Sequence, residues 1–159
     1  MKETWDHGNH RIEYIYQRSR PRLQADIIEF WKRNSALPPG SDPQQRVREV
    51  VLVAFNASGE VVGVNTVFTG RLAAGGPLLF FYRQFIQPAD RVPGMMRFMI
   101  VRAWEALRDH SMEEKPVGVV FVSENPKLLR PGVVALLGRL GWHVSGKTPK
   151  QQEIWRKDF

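Results

Sequence analysis

The chain contains no cysteine. Disulfides, thiol nucleophiles and thiolate metal sites are excluded together, and the absence fits a reducing, cytoplasmic compartment. Long apolar runs are missing as well. No stretch of ~18 uncharged apolar residues occurs, so no membrane-spanning helix is expected. The opening segment, Met1-Lys2-Glu3-Thr4-Trp5-Asp6-His7, has no apolar core of the kind a signal peptide needs. Internal repeats and low-complexity tracts are absent. Histidine is scarce, at four residues. His7 and His10 stand in a polar terminus too poor in ligands for a metal site, and no metal is expected. Acidic residues are also in deficit: 16 against 23 basic ones leaves a net charge of +7.

Sixteen of the basic residues are Arg and seven Lys. Arg suits bidentate contact with phosphate and carboxylate, so an anionic ligand is one reading of the excess. The candidates are nucleic acid, a phosphorylated cofactor or an acidic substrate. Solubility of a small domain is the other reading. No zinc finger, basic heptad or RNA-binding strand signature supports a nucleic-acid module.

What is present describes one globular domain over residues 1–159. Apolar residues make up 43% and charged residues 25%, and a chain of this length buries a sufficient core. Residues 11–18 read as a strand. Pro21 opens a helix whose Leu23, Ile27, Ile28 and Trp31 fall at helical spacing. The segment 37–43, rich in proline, reads as a surface loop. Residues 50–55 and 61–68 form a hairpin around Asn56-Ala57-Ser58-Gly59, with Gly63 marking a bulge. A strand over 78–87 ends at Pro88. Residues 94–109 form a largely buried helix. Residues 117–122 are a β-branched central strand. A helix over 131–140 stops at Gly141, and short strands lie at 142–144 and 153–156. This order predicts an α/β (α+β) fold, a mixed sheet carrying helices on its faces.

The turn from the strand at 78–87 into the helix at Gly94 is the candidate anion site. Free N–H groups and the positive end of the helix dipole converge there, and Arg91 and Arg97 add full charges. It is neither a P-loop nor a dinucleotide fingerprint, since both glycine patterns are missing. Ser123 ends the central strand, where ligand-facing residues often sit. Glu124 and Asp90 are carboxylates near the supposed cleft that an amine proton would need. Tyr82 and Tyr14 are candidate acids. Arg83, a charge amid Phe80, Phe81, Tyr82 and Phe85, is a candidate for holding a substrate carboxylate, with Tyr14 beside it in the acceptor role.

Four ordered pieces resemble the GNAT superfamily of acyl-CoA N-acyltransferases. The hairpin over 50–68 is similar to the family's second and third strands. Phe85-Ile86-Gln87-Pro88-Ala89-Asp90-Arg91-Val92-Pro93-Gly94-Met95-Met96 resembles its fourth strand and pyrophosphate loop, usually Arg/Gln-x-x-Gly-x-Gly/Ala. Val119-Val120-Phe121-Val122-Ser123-Glu124-Asn125 resembles its fifth strand with the following Asn. Ala135-Leu136-Leu137-Gly138-Arg139-Leu140-Gly141-Trp142 is similar to its terminal Leu-Tyr-x-x-Leu-Gly-Phe signature.

The resemblance implies a largely antiparallel sheet with a splayed parallel central pair and helices on both faces. It implies acetyl-CoA or another acyl-CoA as donor, with pyrophosphate on the loop from Arg91 through Val92, Gly94, Met95 and Met96 to Arg97. Backbone groups of Phe85, Ile86 and Gln87 would meet the pantetheine arm, as would Asn125. The partner would be a small-molecule or peptide amine. The departures are Pro93, which lacks an N–H; Met96, where the motif has a small residue; and Leu137, where many members have a Tyr that protonates the thiolate. A catalytically inactive GNAT-like protein that binds CoA or associates with nucleic acid is the alternative.

Overall fold

The computed structural model describes residues 2–124 and 130–159. Among these residues, eight strands and four α-helices follow one another: β1 (Thr4–His7), β2 (His10–Tyr14), α1 (Pro21–Arg33), α2 (Pro43–Arg46), β3 (Val50–Phe55), β4 (Val61–Gly70), β5 (Leu79–Ile86), α3 (Met95–Asp109), β6 (Gly118–Val122), α4 (Pro131–Arg139), β7 (His143–Lys147) and β8 (Glu153–Asp158). The sheet order is β1-β2-β3-β4-β5-β6-β8-β7. The parallel ladder between β5 and β6 is short: Phe80 faces Val119 and Phe81 faces Val120, whereas β5 runs on to Ile86 and β6 to Val122. No helix among the described residues is long and apolar enough to cross a membrane.

The chain forms two compact units, Met1–Val67 with Arg83–His110, and Phe68–Tyr82 with Ser111–Phe159. In the first, α1 buries Leu23, Ile27, Ile28, Phe30 and Trp31 against Val50 and Val53 of β3 and Val61 and Val64 of β4. Pro21 starts this helix where its missing N–H has no helical partner to lose. Lys32 and Arg33 in the last turn favour the negative end of the dipole. Gly63 sits at the expected bulge: Ala54 pairs with Gly63 but Phe55 pairs with Val61. A Cβ there would come within 3.3 Å of Ile86 and 3.6 Å of the Met99 sulfur. The small residue thus lets α3 and β5 close on β4.

In the second unit, Val119, Val120 and Phe121 of β6 are buried, as read. Gly118 is obligatory, because a Cβ would meet Asp158 and the Lys157 carbonyl at 2.7 Å. Phe121 packs edge-on to Trp142 at 5.1 Å between ring centres. Gly141, at φ +87°, follows α4 as the predicted left-handed stop.

Three local readings are corrected. The strand at 11–18 ends at Tyr14, because Gln17 adopts a left-handed φ of 62° and turns the chain. The polar terminus holds a strand, β1, antiparallel to β2 with Trp5 opposite Ile12. An edge strand needs only one inward apolar side chain, and Trp5 supplies it. The proline-rich segment 37–43 is not loop to its end: Asp42 accepts from the Gln44 amide at 3.0 Å and caps α2, which Pro43 opens.

Candidate anion-binding turn before the third helix

β5 leads into a turn whose backbone is fixed mostly by its own bonds. The Asp90 amide donates to Gln87 O at 3.0 Å and the Arg91 amide to Pro88 O at 3.3 Å. Val92 N–H donates to Asp90 O at 2.9 Å across Arg91, whose φ −78° and ψ 63° make an inverse γ-turn. Gly94 then takes φ 77°, a left-handed conformation that favours glycine, and α3 starts. The Met95 amide is spent on Val92 O, and the first helical bond runs from Phe98 N–H to Gly94 O at 2.8 Å. The amides of Gly94, Met96 and Arg97 have no partner among the described residues. Three free donors therefore stand at the positive end of a fifteen-residue helix.

The side chains around the turn divide into tied and untied. Arg91 donates through Nε to Ile86 O at 2.7 Å and lies over the Phe85 ring at 5.5 Å, with no carboxylate partner among the described residues. Arg97 is exposed and makes no ion pair there. Val92 is exposed, Met96 half-buried and Met95 fully buried. Met95 therefore offers a ligand neither side chain nor amide. Asp90 accepts from His10 Nε2 at 2.8 Å and from Gln87 Nε2 at 2.6 Å. Burial raises its carboxyl, but the hydrogen bonds from His10 and Gln87 outweigh this and hold it below the usual carboxylate range. A carboxylate so held is a poor base for an ammonium.

The expectation that Phe85, Ile86 and Gln87 all offer free backbone groups needs correction. Gln87 N–H donates to Val62 O of β4 at 2.9 Å. Along an extended strand successive N–H groups point to opposite edges. Phe85 N–H therefore shares Gln87's edge, and Ile86 N–H alone of the three points the other way.

The remaining candidates are engaged or distant in chemistry. Arg83 pairs with Glu49 at 2.8 Å, so its charge is already met. Tyr14 is buried, and its hydroxyl bonds His110 Nδ1 at 2.9 Å. Burial pushes that hydroxyl up to about 12, against the opposing pull of Arg18. Tyr14 also lines a recess of about 260 Å³ with Glu3, Glu13, Arg18 and Arg20, where Arg18 meets Glu3 at 2.7 Å and Arg20 meets Glu13 at 3.8 Å. In the second unit, Ser123 is buried and its hydroxyl donates to Glu153 O at 3.3 Å. Tyr82 is buried, Glu124 is exposed, and Leu137 is buried in α4. Asn125 lies outside the described residues.

Sequence reasoning missed His7 and His10. His7 Nε2 contacts Pro93 O at 3.0 Å, and its ring packs on Phe98 at 5.0 Å between centres. The partners lie 86 and 80 residues away. The available signal was weak: two histidines bracket Gly8-Asn9, a short turn inside a polar segment.

No protein-family model and no curated protein matches the chain. Solved structures do. An acetyltransferase of the GNAT family from Listeria monocytogenes is similar with a TM-score of 0.64 and 14% identity, over 99% of this chain and 100% of that one. The ribosomal-protein-S5-alanine acetyltransferase of Vibrio fischeri gives 0.63 and 12%, over 99% and 97%. Spermidine N-acetyltransferase of Vibrio cholerae, solved with CoA and spermine, gives 0.56 and 11%, over 94% of each chain. The chain carries the GNAT fold.

Proposed function

We propose that the chain is an acyl-CoA-dependent N-acyltransferase that binds pyrophosphate at the start of α3. The carrying observation is the set of free amides at Gly94, Met96 and Arg97, flanked by Arg91 and Arg97, in a chain with this fold. Three amide donors and two guanidinium groups suit the anionic oxygens of a diphosphate, and the two positive charges balance its charge. Related folds solved with CoA and an amine or a peptide support this class of donor and acceptor. The pantetheine arm would run along the edge of β5 on which Ile86 N–H lies, and that N–H would take the charge of the tetrahedral oxyanion.

The proton steps depend on few side chains. Asp90 is committed to His10 and Gln87, which leaves a relayed water to accept the ammonium proton. The amine then attacks the thioester carbon, the intermediate collapses, and the C–S bond breaks. Water protonates the leaving thiolate, since Leu137 has no proton to give and the Ser123 hydroxyl is engaged. Rate comes mainly from holding two reactants in contact.

Binding and turnover are tested separately. Acetyl-CoA, longer acyl-CoAs and free CoA should each raise the melting temperature. Release of free thiol on adding a panel of small amines and peptide N-termini measures transfer. Failure of every CoA species to bind removes the proposal. Binding without thiol release on any amine favours the non-catalytic alternative, for which the engaged acid and base candidates argue.

A further inference from the structure

We propose that the β1–β2 hairpin positions the turn before α3, with His7 as the residue that aims the Gly94 amide. The inference rests on the cofactor reading above and concerns how the turn is set before any ligand arrives. A carbonyl only accepts hydrogen bonds, so His7 Nε2 carries the proton in its 3.0 Å contact with Pro93 O. That carbonyl belongs to the same planar peptide as Gly94 N–H. In a trans peptide the two groups point in opposite directions. Holding the oxygen toward His7 therefore turns the Gly94 N–H away from the hairpin, on the side left open for an anion.

Local sequence does not do this alone. Pro93 has no N–H with which to bond back into the turn. Glycine at 94 has the widest choice of conformations of any residue. The hairpin supplies the missing constraint at two points. His10 Nε2 bonds Asp90 at 2.8 Å on a nearly buried side chain, and His7 closes the second point three residues further on. The His7 ring also packs beside Gly94, since a Cβ there would stand 3.4 Å from His7 Cε1. Ordering the turn in advance removes that entropy from the cost of binding.

The test separates donor from ring. His7→Phe keeps an aromatic ring on Phe98 and deletes the donor. His7→Gln removes the ring and keeps a nitrogen donor at nearly the same reach. In the ligand-free chain, the NMR backbone order parameters of Gly94 and Met96 should fall in His7→Phe from the rigid range, about 0.85, toward the flexible range below about 0.6. CoA affinity by calorimetry should fall by about tenfold, the value of one ordinary hydrogen bond. His7→Gln should restore the order parameters and return the affinity to within about threefold of wild type. Thermal melting confirms that each variant is folded. Unchanged order parameters and unchanged affinity in His7→Phe overturn the proposal, as does an equal loss in His7→Gln. If wild type itself binds no CoA, the cofactor reading falls. The positioning role is then decided by the order parameters alone: a fall in His7→Phe supports it, and unchanged values end it.

Discussion

Two helix entrances in the same unit use arginine in opposite ways. Before α1, Arg18 and Arg20 are paired with Glu3 and Glu13, and the recess between them is closed electrostatically. Before α3, Arg91 and Arg97 have no carboxylate partner among the described residues, and the one acid in the turn, Asp90, is taken by His10 and Gln87. The first entrance starts with Pro21, which needs no donor. The second starts with left-handed Gly94 and leaves three amides unmet. A net charge of +7 is thus not spread evenly in its effect. Cations at one end are consumed by structure, and cations at the other remain available to an anion.

The sharpest way to break this contrast is Gly94→Val. A β-branched residue at φ 77° is strained by roughly 1–2 kcal/mol, and the turn would relax by rotating its amides. Losing one or two hydrogen bonds to a charged group should lower CoA affinity by about 100-fold or more. Gly94→Asn should do much less, because Asn tolerates the left-handed region. Calorimetry on both variants checks it. Equal affinity in Gly94→Val and wild type would detach the cofactor from this turn.

The strand-to-helix entrance at Gly94 was legible in the sequence because glycine, proline and flanking arginines all lie within one short segment. The hairpin, the buried central strand and the left-handed stop at Gly141 were legible for the same reason: each is a local signal. The histidine ties were not. They join residues 86 and 80 positions apart, and no local pattern encodes a partner at that distance. The backbone of β5 shows the converse limit. Phe85, Ile86 and Gln87 look equivalent as a sequence, yet strand alternation and the Val62 carbonyl leave one edge to Ile86 alone. Arg83 and Tyr14 read as candidate functional groups because their partners, Glu49 and His110, lie far along the chain.

The α1 side should reveal itself in alkali. An unfolded tyrosine loses its proton near pH 10, whereas buried Tyr14 holds its proton to about 12. Folding stability tied to this group is therefore complete below pH 10 and is lost as pH rises toward 12. Two pH units correspond to about 2–3 kcal/mol. Urea unfolding at pH 9 and pH 12 should show that loss in wild type and a smaller one in Tyr14→Phe. A residual slope is expected, because burial raises Tyr16 as well. An unaltered slope in the variant would assign the loss to other groups.

Paired single substitutions test the arginines directly. Arg97→Ala should weaken CoA binding by about tenfold and flatten its salt dependence, since a full charge near the phosphates is removed. Arg18→Ala should leave CoA affinity unchanged. Its partner Glu3 is exposed, so the stability cost should stay below about 1 kcal/mol. Equal effects of the two changes on binding would erase the distinction between the entrances.

The smallest expected effect concerns Met96, half-buried in the first turn of α3 beside two of the free amides. A long side chain at this point limits how closely phosphate approaches the backbone. Met96→Ala shortens it while keeping a strong helix former, so the helix itself should lose little. CoA should bind about two- to fivefold more tightly, less than the value of one full hydrogen bond. Met96→Gly should gain no more, because glycine costs up to about 1 kcal/mol in helix stability. The melting temperature of each ligand-free variant separates that cost from the gain in affinity. If Met96→Ala binds CoA no better than wild type, crowding is not what limits this turn. The proline at 93, with its missing donor, then becomes the departure to repair, and Pro93→Ala is the variant that restores an N–H there.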